Sequence, residues 1–159
     1  MRIDENEIVI PADYKSIEHL GNEFNYFVVS NENNKYGIID SLNQIVVHMN
    51  YDSYERLSDR SFVLKDSNGS HIFNAQYGVL FDEVYDSIDT SKPIYVLNKV
   101  TTATYDKTKY VIDTNSGYKL FKLPHFDDDI TSFYKDLFVY KSHGKYGLMD
   151  YKGRIIIEP

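Results

Sequence analysis

The densest group of side chains that could do chemistry is His125-Phe126-Asp127-Asp128-Asp129. Closely spaced carboxylates can hold a hard cation such as Ca²⁺. This run lacks the Asp-x-Asp-x-Asp-Gly loop and the distant Glu of a calcium loop, and consecutive side chains on an extended strand face opposite ways. We therefore expect a solvated acidic turn without a metal. The same turn could dock a basic protein surface, with Tyr134 and Lys135 nearby in sequence.

Catalytic patterns are weak elsewhere in the chain. No Gly-x-Ser-x-Gly nucleophile elbow is present, and the two glycines within Lys141–Gly147 lack the spacing of a phosphate-binding loop. The five histidines are scattered, with no pair at ligand spacing: His19, His48, His71, His125 and His143. No cysteine is available as a nucleophile, metal ligand or disulfide partner. We expect no enzyme, no cofactor, and no catalytic or metal-binding residue.

A Thr-rich stretch, Lys99–Thr108, interrupts an otherwise regular spacing of aromatic residues. The interval from Tyr51 to Tyr85 is 34 residues, whereas that from Tyr85 to Phe126 is 41. Insertions in repeat proteins map to loops and often to a binding face, so we expect a long hairpin that protrudes from the array; the alternative is a tolerated surface excursion. The predicted partner-binding residues are Thr101, Thr102, Thr104, Tyr105, Asp106, Asp127, Asp128, Asp129 and Tyr134.

The elements that must position these residues are repeats. Lys35-Tyr36-Gly37-Ile38-Ile39-Asp40 returns as Lys145-Tyr146-Gly147-Leu148-Met149-Asp150 after 110 residues, which is three intervals of about 37. Each copy leads into a turn and then a short apolar run, Ile45–Val47 or Ile155–Ile157. Such runs, bounded by Asn, Asp, Ser and Gly, predict strands joined by hairpins.

Two further repeated elements support an all-β fold. One is an apolar strand followed by an aromatic residue and a polar turn, as in Ile8–Ser16, Ile45–Ser53 and Val79–Ser87, with a looser copy at Leu120–Asp127. The other is a β-rich triplet, found at Phe27–Val29, Phe62–Leu64, Tyr95–Leu97 and Phe138–Tyr140. No segment has a sustained 3.6-residue apolar period. Each Tyr-Asp-Ser-Ile segment could form a single helical or 3₁₀ turn.

The repeated residues themselves have structural explanations. We expect glycines at turns or close backbone contacts, tyrosines packed between units, and aspartates bonded to their own turns. These are Gly37, Gly147 and Gly153; Tyr36, Tyr51, Tyr85 and Tyr146; and Asp40, Asp113 and Asp150.

This pattern resembles the WG-repeat family of bacterial β-repeat proteins, whose unit of roughly 35 residues reads Trp-Gly-x-Ile-Asp, a turn, an apolar strand and then Tyr-Asp. Tyr36–Asp40 and Tyr146–Asp150 match that signature with Tyr in place of Trp. Two internal copies depart further, with Ser70-His71 and Lys109-Tyr110 at the aromatic-Gly position. The family is defined by its repeat, so the resemblance implies a scaffold or interaction role and names no ligand.

We expect a single domain over 1–159, an antiparallel array of about four hairpin units. The predicted boundaries are a partial repeat at 8–35, repeats at 36–69, 70–108 and 109–145, and a partial repeat at 146–159. An open, twisted array is preferred, and a propeller-like ring in which the two partial repeats complete each other is the alternative.

The negative charge of the chain favours some classes of partner over others. The formal net charge is −7 and the pI about 5.1, which disfavours direct nucleic-acid binding but suits a basic protein. The first residues lack the pattern of a signal peptide and no apolar run could span a bilayer, so we expect no membrane association and a cytoplasmic location.

The leading hypothesis is a non-enzymatic protein-binding module, in its specific form an acidic inhibitor or immunity protein that blocks a basic partner. Tyrosine suits such a surface because it gives a large contact area at low entropic cost. A glycan- or small-ligand-binding module that uses exposed aromatics is the alternative. A divergent hydrolase, built from residues distant in sequence, is the third hypothesis.

Overall fold

The computed structural model describes residues 13–21, 23–89, 100–105, 108–113, 119–125, 127–134 and 137–159. These residues form strands and turns and no helix. The strands are β1 Ser16–His19, β2 Tyr26–Ser30, β3 Tyr36–Asp40, β4 Ile45–Tyr51, β5 Ser53–Arg56, β6 Ser61–Asp66, β7 Gly69–Asn74, β8 Val79–Tyr85, β9 Ser87–Ile88, β10 Val100–Tyr105, β11 Thr108–Asp113, β12 Lys119–Lys122, β13 Asp129–Tyr134, β14 Leu137–Ser142, β15 Lys145–Asp150 and β16 Ile155–Ile157.

The strands form four antiparallel sheets of four strands each. Sheet 1 contains β1 to β4, sheet 2 β5 to β8, sheet 3 β9 to β12 and sheet 4 β13 to β16, and neighbours in sequence are neighbours in each sheet. The predicted all-β array of four hairpin units is therefore confirmed. Each predicted repeat boundary falls inside a sheet, because the predicted unit begins with the third strand.

The central two strands of each sheet carry the apolar pattern that the sequence suggests. In sheet 1, Val28 pairs with Ile38 and Phe27 with Ile39, so residues of like polarity share a face across the ladder. The predicted triplets at Phe27–Val29, Phe62–Leu64 and Phe138–Tyr140 lie in β2, β6 and β14. The predicted strands at Ile8–Ile10 and Tyr95–Leu97 lie outside the described residues.

Three hydrophobic clusters join consecutive sheets in a linear series. Val28 and Ile38 of sheet 1 pack with Phe62 and Phe73 of sheet 2. The other two clusters repeat this arrangement between sheets 2 and 3, which includes Val63, Ile72 and Ile112, and between sheets 3 and 4, which includes Val111, Phe138 and Met149. No cluster joins sheet 4 to sheet 1 among the described residues, so the array is open over that part of the chain.

Two expectations about individual segments were wrong. The Tyr-Asp-Ser segments form no helical turn, because Ser53–Arg56 and Ser87–Ile88 are the first strands of sheets 2 and 3. Tyr51 and Tyr85 are buried between units as expected, but Tyr146 is 61% exposed. It lies in sheet 4, which has no following sheet in the described part of the chain to cover it.

The even number of strands gives the array two distinct ends. After four antiparallel strands the chain returns to the end from which it started, so the links from β4 to β5, β8 to β9 and β12 to β13 share one end. We call this the corner end; it also carries the β2–β3, β6–β7 and β14–β15 turns. The opposite end, which carries the β3–β4, β7–β8 and β15–β16 turns, is the turn end.

Candidate protein-binding surface

Each corner between two sheets presents an exposed aspartate at the corner end. Tyr51 and Tyr85 are buried, and the residues after them, Asp52 and Asp86, are exposed. Asp127 is exposed at the third corner. In each Tyr-Asp pair the buried tyrosine ring therefore anchors the corner, and the aspartate that follows presents its carboxylate to solvent. Repetition of the corner places one carboxylate at the same end of the array at each sheet junction.

The basic side chains of sheets 1 and 2 neutralise only part of the negative charge of these sheets. Residues 13–89 contain thirteen acidic and five basic side chains. Lys35 pairs with Asp52, Arg56 with Asp59 and Lys65 with Glu55, while Lys15 and Arg60 bond the amides of Asn34 and Gln76. Every one of the five is thus engaged within the fold. Exposed Glu32 and Asp86 form no ion pair with the described residues.

The acidic turn at residues 125–129 is only partly available to a partner. Asp128 is 0% exposed, and its carboxylate Oδ2 accepts a 3.0 Å hydrogen bond from the backbone N of His125. In return the Asp128 N–H donates to the His125 carbonyl at 3.1 Å, and Lys109 Nζ donates to the Asp128 carbonyl at 2.8 Å. Asp128, which was predicted to contact a partner, is therefore buried in the free chain, where it holds the corner between sheets 3 and 4. Asp129 is half-buried at the start of β13.

Asp128 also adds a buried carboxylate to the junction between sheets 3 and 4. Its second oxygen, Oδ1, is buried and finds no hydrogen-bond donor among the described residues. Burial of Tyr140 raises the pKa of its phenol, and the negative charges of Glu158 and Asp128 raise it further. The phenol therefore stays neutral at physiological pH.

The predicted Thr-rich hairpin is part of a sheet and does not protrude. Val100–Tyr105 forms β10, which pairs along its whole length with β11 and also pairs with β9 through Ala103 and Thr104. Thr101, Thr102, Thr104 and Tyr105 are therefore residues of an inner strand, of which the structure describes the backbone. Asp106 lies outside the described residues. The expectation of a protruding insertion is corrected, because this stretch supplies the second strand of sheet 3.

The turn end carries exposed aromatic and apolar side chains. Tyr134 is 70% exposed where β13 ends, Tyr151 is 53% exposed in the β15–β16 turn, and Tyr77 is 60% exposed in the β7–β8 turn. Leu42, in the β3–β4 turn, is 68% exposed. Of the predicted partner residues, Tyr134 thus lies at the turn end and Asp127 at the corner end, so the structure does not bring the two together.

Sequence reasoning missed one contact between functional side chains. His125 and His143 are 18 residues apart, yet their rings lie 5.2 Å apart at the corner end. Ser142 Oγ and His143 Nδ1 are 3.0 Å apart. Ser142 is 4% exposed and adjacent to His143 in sequence, so this bond orients the ring in its turn and presents no hydroxyl to a cleft. The only sequence signal was that each histidine lies beside a turn.

The described residues hold neither a three-ligand metal cluster nor a membrane-spanning helix. No three His, Asp or Glu side chains there converge on a point that could hold a metal ion. Nor does that part of the chain contain a helix with the length and apolarity needed to cross a bilayer.

One segment of the chain, which begins at the first Tyr-Gly copy, matches a known protein family. Residues 36–68, from the Tyr-Gly signature of β3 to the β6–β7 turn, match the family model described as WG containing repeat. This segment is therefore similar to a WG repeat. The WG match spans β3 to β6 and therefore crosses the junction between sheets 1 and 2. The resemblance predicted from Tyr36–Asp40 is confirmed over this segment.

No curated protein matches the chain. Among solved structures, the computationally designed Ika8 protein is 14% identical with a TM-score of 0.38, and the match covers 89% of this chain and 48% of that one. The chain thus spans about half the length of that design. The computationally designed Ika4 protein is also 14% identical, with a TM-score of 0.35 and coverage of 92% and 99%. Likenesses this weak add nothing to what the sheets themselves show.

Proposed function

We propose that this WG-repeat array is a non-enzymatic protein-binding module whose corner end docks on a basic protein surface. The observation that supports this most directly is the exposed aspartate at successive corners, Asp52, Asp86 and Asp127. Because the rigid sheets fix the spacing of the carboxylates, a partner with matching Lys and Arg side chains meets a preorganised set of acceptors.

The specific form of the proposal is an inhibitor or immunity protein that covers a basic site of its partner. Complementary charge accelerates association and excludes acidic competitors. Asp86 and Asp127, two of the three corner carboxylates, are exposed, and none of the five basic side chains of residues 13–89 is paired with Asp86. At Asp52 a cationic partner would take the place of Lys35.

The test compares two double variants with the same change in net charge. A tagged chain is used to isolate its partner from the native host, and the complex is rebuilt from the purified proteins. Asp86→Asn with Asp127→Asn removes two corner-end carboxylates, whereas Glu23→Gln with Asp59→Asn removes two exposed carboxylates at the turn end. Since an exposed ion pair contributes about 0.2–1 kcal/mol, the first pair should raise the Kd roughly 2- to 30-fold.

The control pair should leave the Kd nearly unchanged, and added salt should weaken the wild-type complex more than the corner-end variant. Equal effects of the two pairs would show that net charge acts without a defined docking end. Failure to recover any stable partner would contradict the proposal itself.

A second candidate function is binding of a glycan, and the exposed tyrosines of the turn end favour it. Tyr77, Tyr134 and Tyr151 present aromatic faces on which sugar rings can stack. A glycan array with wild-type chain and with Tyr134→Ala and Tyr151→Ala separates the two functions. A hit that both tyrosine variants lose would support this candidate, and an array without hits would remove it.

A further inference from the structure

We propose that His125 and His143 form a two-imidazole site for a first-row divalent cation, of which Zn²⁺ is the probe. The site clamps the corner between sheets 3 and 4 to the β14–β15 turn, and its two ligands are not among the carboxylates of the proposed docking surface, although Asp127 lies beside it. Both histidines are exposed, so a hydrated ion can reach them.

The spacing of the two rings fits joint coordination. Zn–N bonds are about 2.0–2.1 Å long and tetrahedral sites hold two ligands at about 109°. Imidazoles bound through one nitrogen each then have ring centroids about 5.3 Å apart. The observed separation is 5.2 Å, and the rings meet edge to face at 71°, an inclination that two ligands at tetrahedral positions can also adopt.

Both residues are held by their own local structure. His143 has φ 48° and precedes Gly144 at φ 83°, which fixes it in the tight β14–β15 turn. Its Nδ1 is bonded to Ser142 Oγ at 3.0 Å, which leaves Nε2 for the ion. Bonds of this kind orient metal-ligating histidines in known sites. The backbone of His125 is held by the reciprocal bonds with Asp128.

The surroundings favour a cation. Asp127 is exposed two residues from His125, and Asp128 and Asp129 follow it in the chain. No third His, Asp or Glu converges on the two rings among the described residues, so water completes the coordination shell. Imidazole is a ligand suited to zinc, copper and nickel, and carboxylate–water sites without it select magnesium or calcium instead.

The experiment is calorimetric titration of Zn²⁺ into tag-free, chelator-treated protein. The wild-type chain should bind one ion, and His125→Ala and His143→Ala should each abolish that binding phase. His48→Ala is the matched control, because His48 is also exposed but lies on β4, away from this corner. Free zinc at about five times its Kd should raise the Tm by roughly 2–4 °C.

A measurement on the wild-type chain alone guards against variants that fail to fold. Modification of the histidines by diethyl pyrocarbonate, read by mass spectrometry, should be slowed by Zn²⁺ at His125 and His143 together and unchanged at His48. Absence of a binding phase, protection of only one of the pair, or full zinc binding by either alanine variant would overturn the proposal.

Discussion

Tyr140 lies against Gly147, its partner on the neighbouring strand, so closely that no side chain fits between them. A Cβ on Gly147 would lie 2.6 Å from Tyr140 Cε1 and 2.5 Å from the Ile157 carbonyl oxygen. Gly37, at the equivalent place in sheet 1, would bring a Cβ within 2.5 Å of the Val47 carbonyl oxygen. The glycine that the two copies share is therefore required for the close approach of the adjoining strand.

Replacement of this glycine should destabilise the fold. We expect Gly147→Ala to lower the free energy of unfolding by about 1–3 kcal/mol, because the strand must move away from backbone and ring atoms. Urea unfolding measures the effect. Lys145→Ala, an exposed change on the same strand, is the control, and equal midpoints for the two variants would contradict the steric explanation.

Asp150 should stabilise the last sheet in a pH-dependent manner. Its Oδ1 accepts 2.9 Å bonds from the N–H groups of Lys152 and Arg154, and Oδ2 accepts from Arg154 Nε at 2.7 Å. Desolvation on burial acts to raise the pKa of this carboxyl, but the bonds and charge of Arg154, with the Lys152 bond, hold that pKa below its ordinary value.

A carboxyl whose folded-state pKa is lowered stabilises the fold above its unfolded-state pKa and loses that contribution as the pH falls through the folded-state value. Asp150→Asn keeps an acceptor for the turn, as Asn74 does in sheet 2. The urea midpoint of the wild type should exceed that of this variant by the largest amount at neutral pH. The difference should shrink as the pH falls below about 4. A difference independent of pH would show that the charge has no role.

Tyr54 should link sheets 1 and 2, and its phenol should lose its proton at a higher pH than an ordinary tyrosine. Its hydroxyl donates to the Glu18 carboxylate. Burial, followed by the bond and charge of Glu18 and the nearby Tyr36, raises the pKa of Tyr54 to about 12. A raised tyrosine pKa stabilises the fold below the ordinary pKa of about 10 and loses that effect as pH rises through the folded-state value.

The test is the difference between wild type and Tyr54→Phe. The tyrosinate absorbance lost in the variant should appear near pH 12, and the stability advantage of the wild type should decline from about pH 10 upward. Glu18→Gln should move that absorbance toward lower pH. A difference spectrum that titrates near pH 10 in the wild type would mean that the contact with Glu18 does not hold in solution.

The linear order of the three cores should allow sheet 4 to loosen by itself. Phe138 is 1% exposed and meets the Phe121 ring edge-on at 5.2 Å, so Phe138→Ala should cost about 3–5 kcal/mol. Because sheets 1 and 2 share a separate cluster, hydrogen exchange should accelerate across 129–157 and remain slow at Val28 and Phe62. Uniform acceleration over the whole chain would contradict a series of separate junctions.

The strands with apolar residues on a pleated face were predictable, and the first strand of each sheet was not. Tyr36–Asp40 and Tyr146–Asp150 repeat in sequence because their glycine and apolar residues meet fixed neighbours, and both are strands. Ser16–His19 is exposed along its whole length and is held to β2 by backbone pairing. Backbone hydrogen bonds leave no apolar pattern in the sequence, so the first strand of each sheet was missed.

The candidate surfaces were predictable in composition and not in position. The sequence shows that Asp52, Asp86 and Asp127 follow aromatic residues, but their common end follows from the even number of strands in each sheet. Asp128 reads as one more surface carboxylate and is buried by the turn that it closes. His125 and His143 meet only because a corner and a hairpin turn share an end of the array.

The most direct test of the central claim is hydrogen exchange, read by mass spectrometry, on the reconstituted complex with the partner. If the corner end docks on a basic protein, slowed exchange should concentrate at the β2–β3 turn, around Asp52 and Asp86, and at residues 127–129. The turn end, including Tyr77 and Tyr151, should exchange as in the free chain. Protection confined to the turn end would contradict the account and assign binding to the exposed tyrosines.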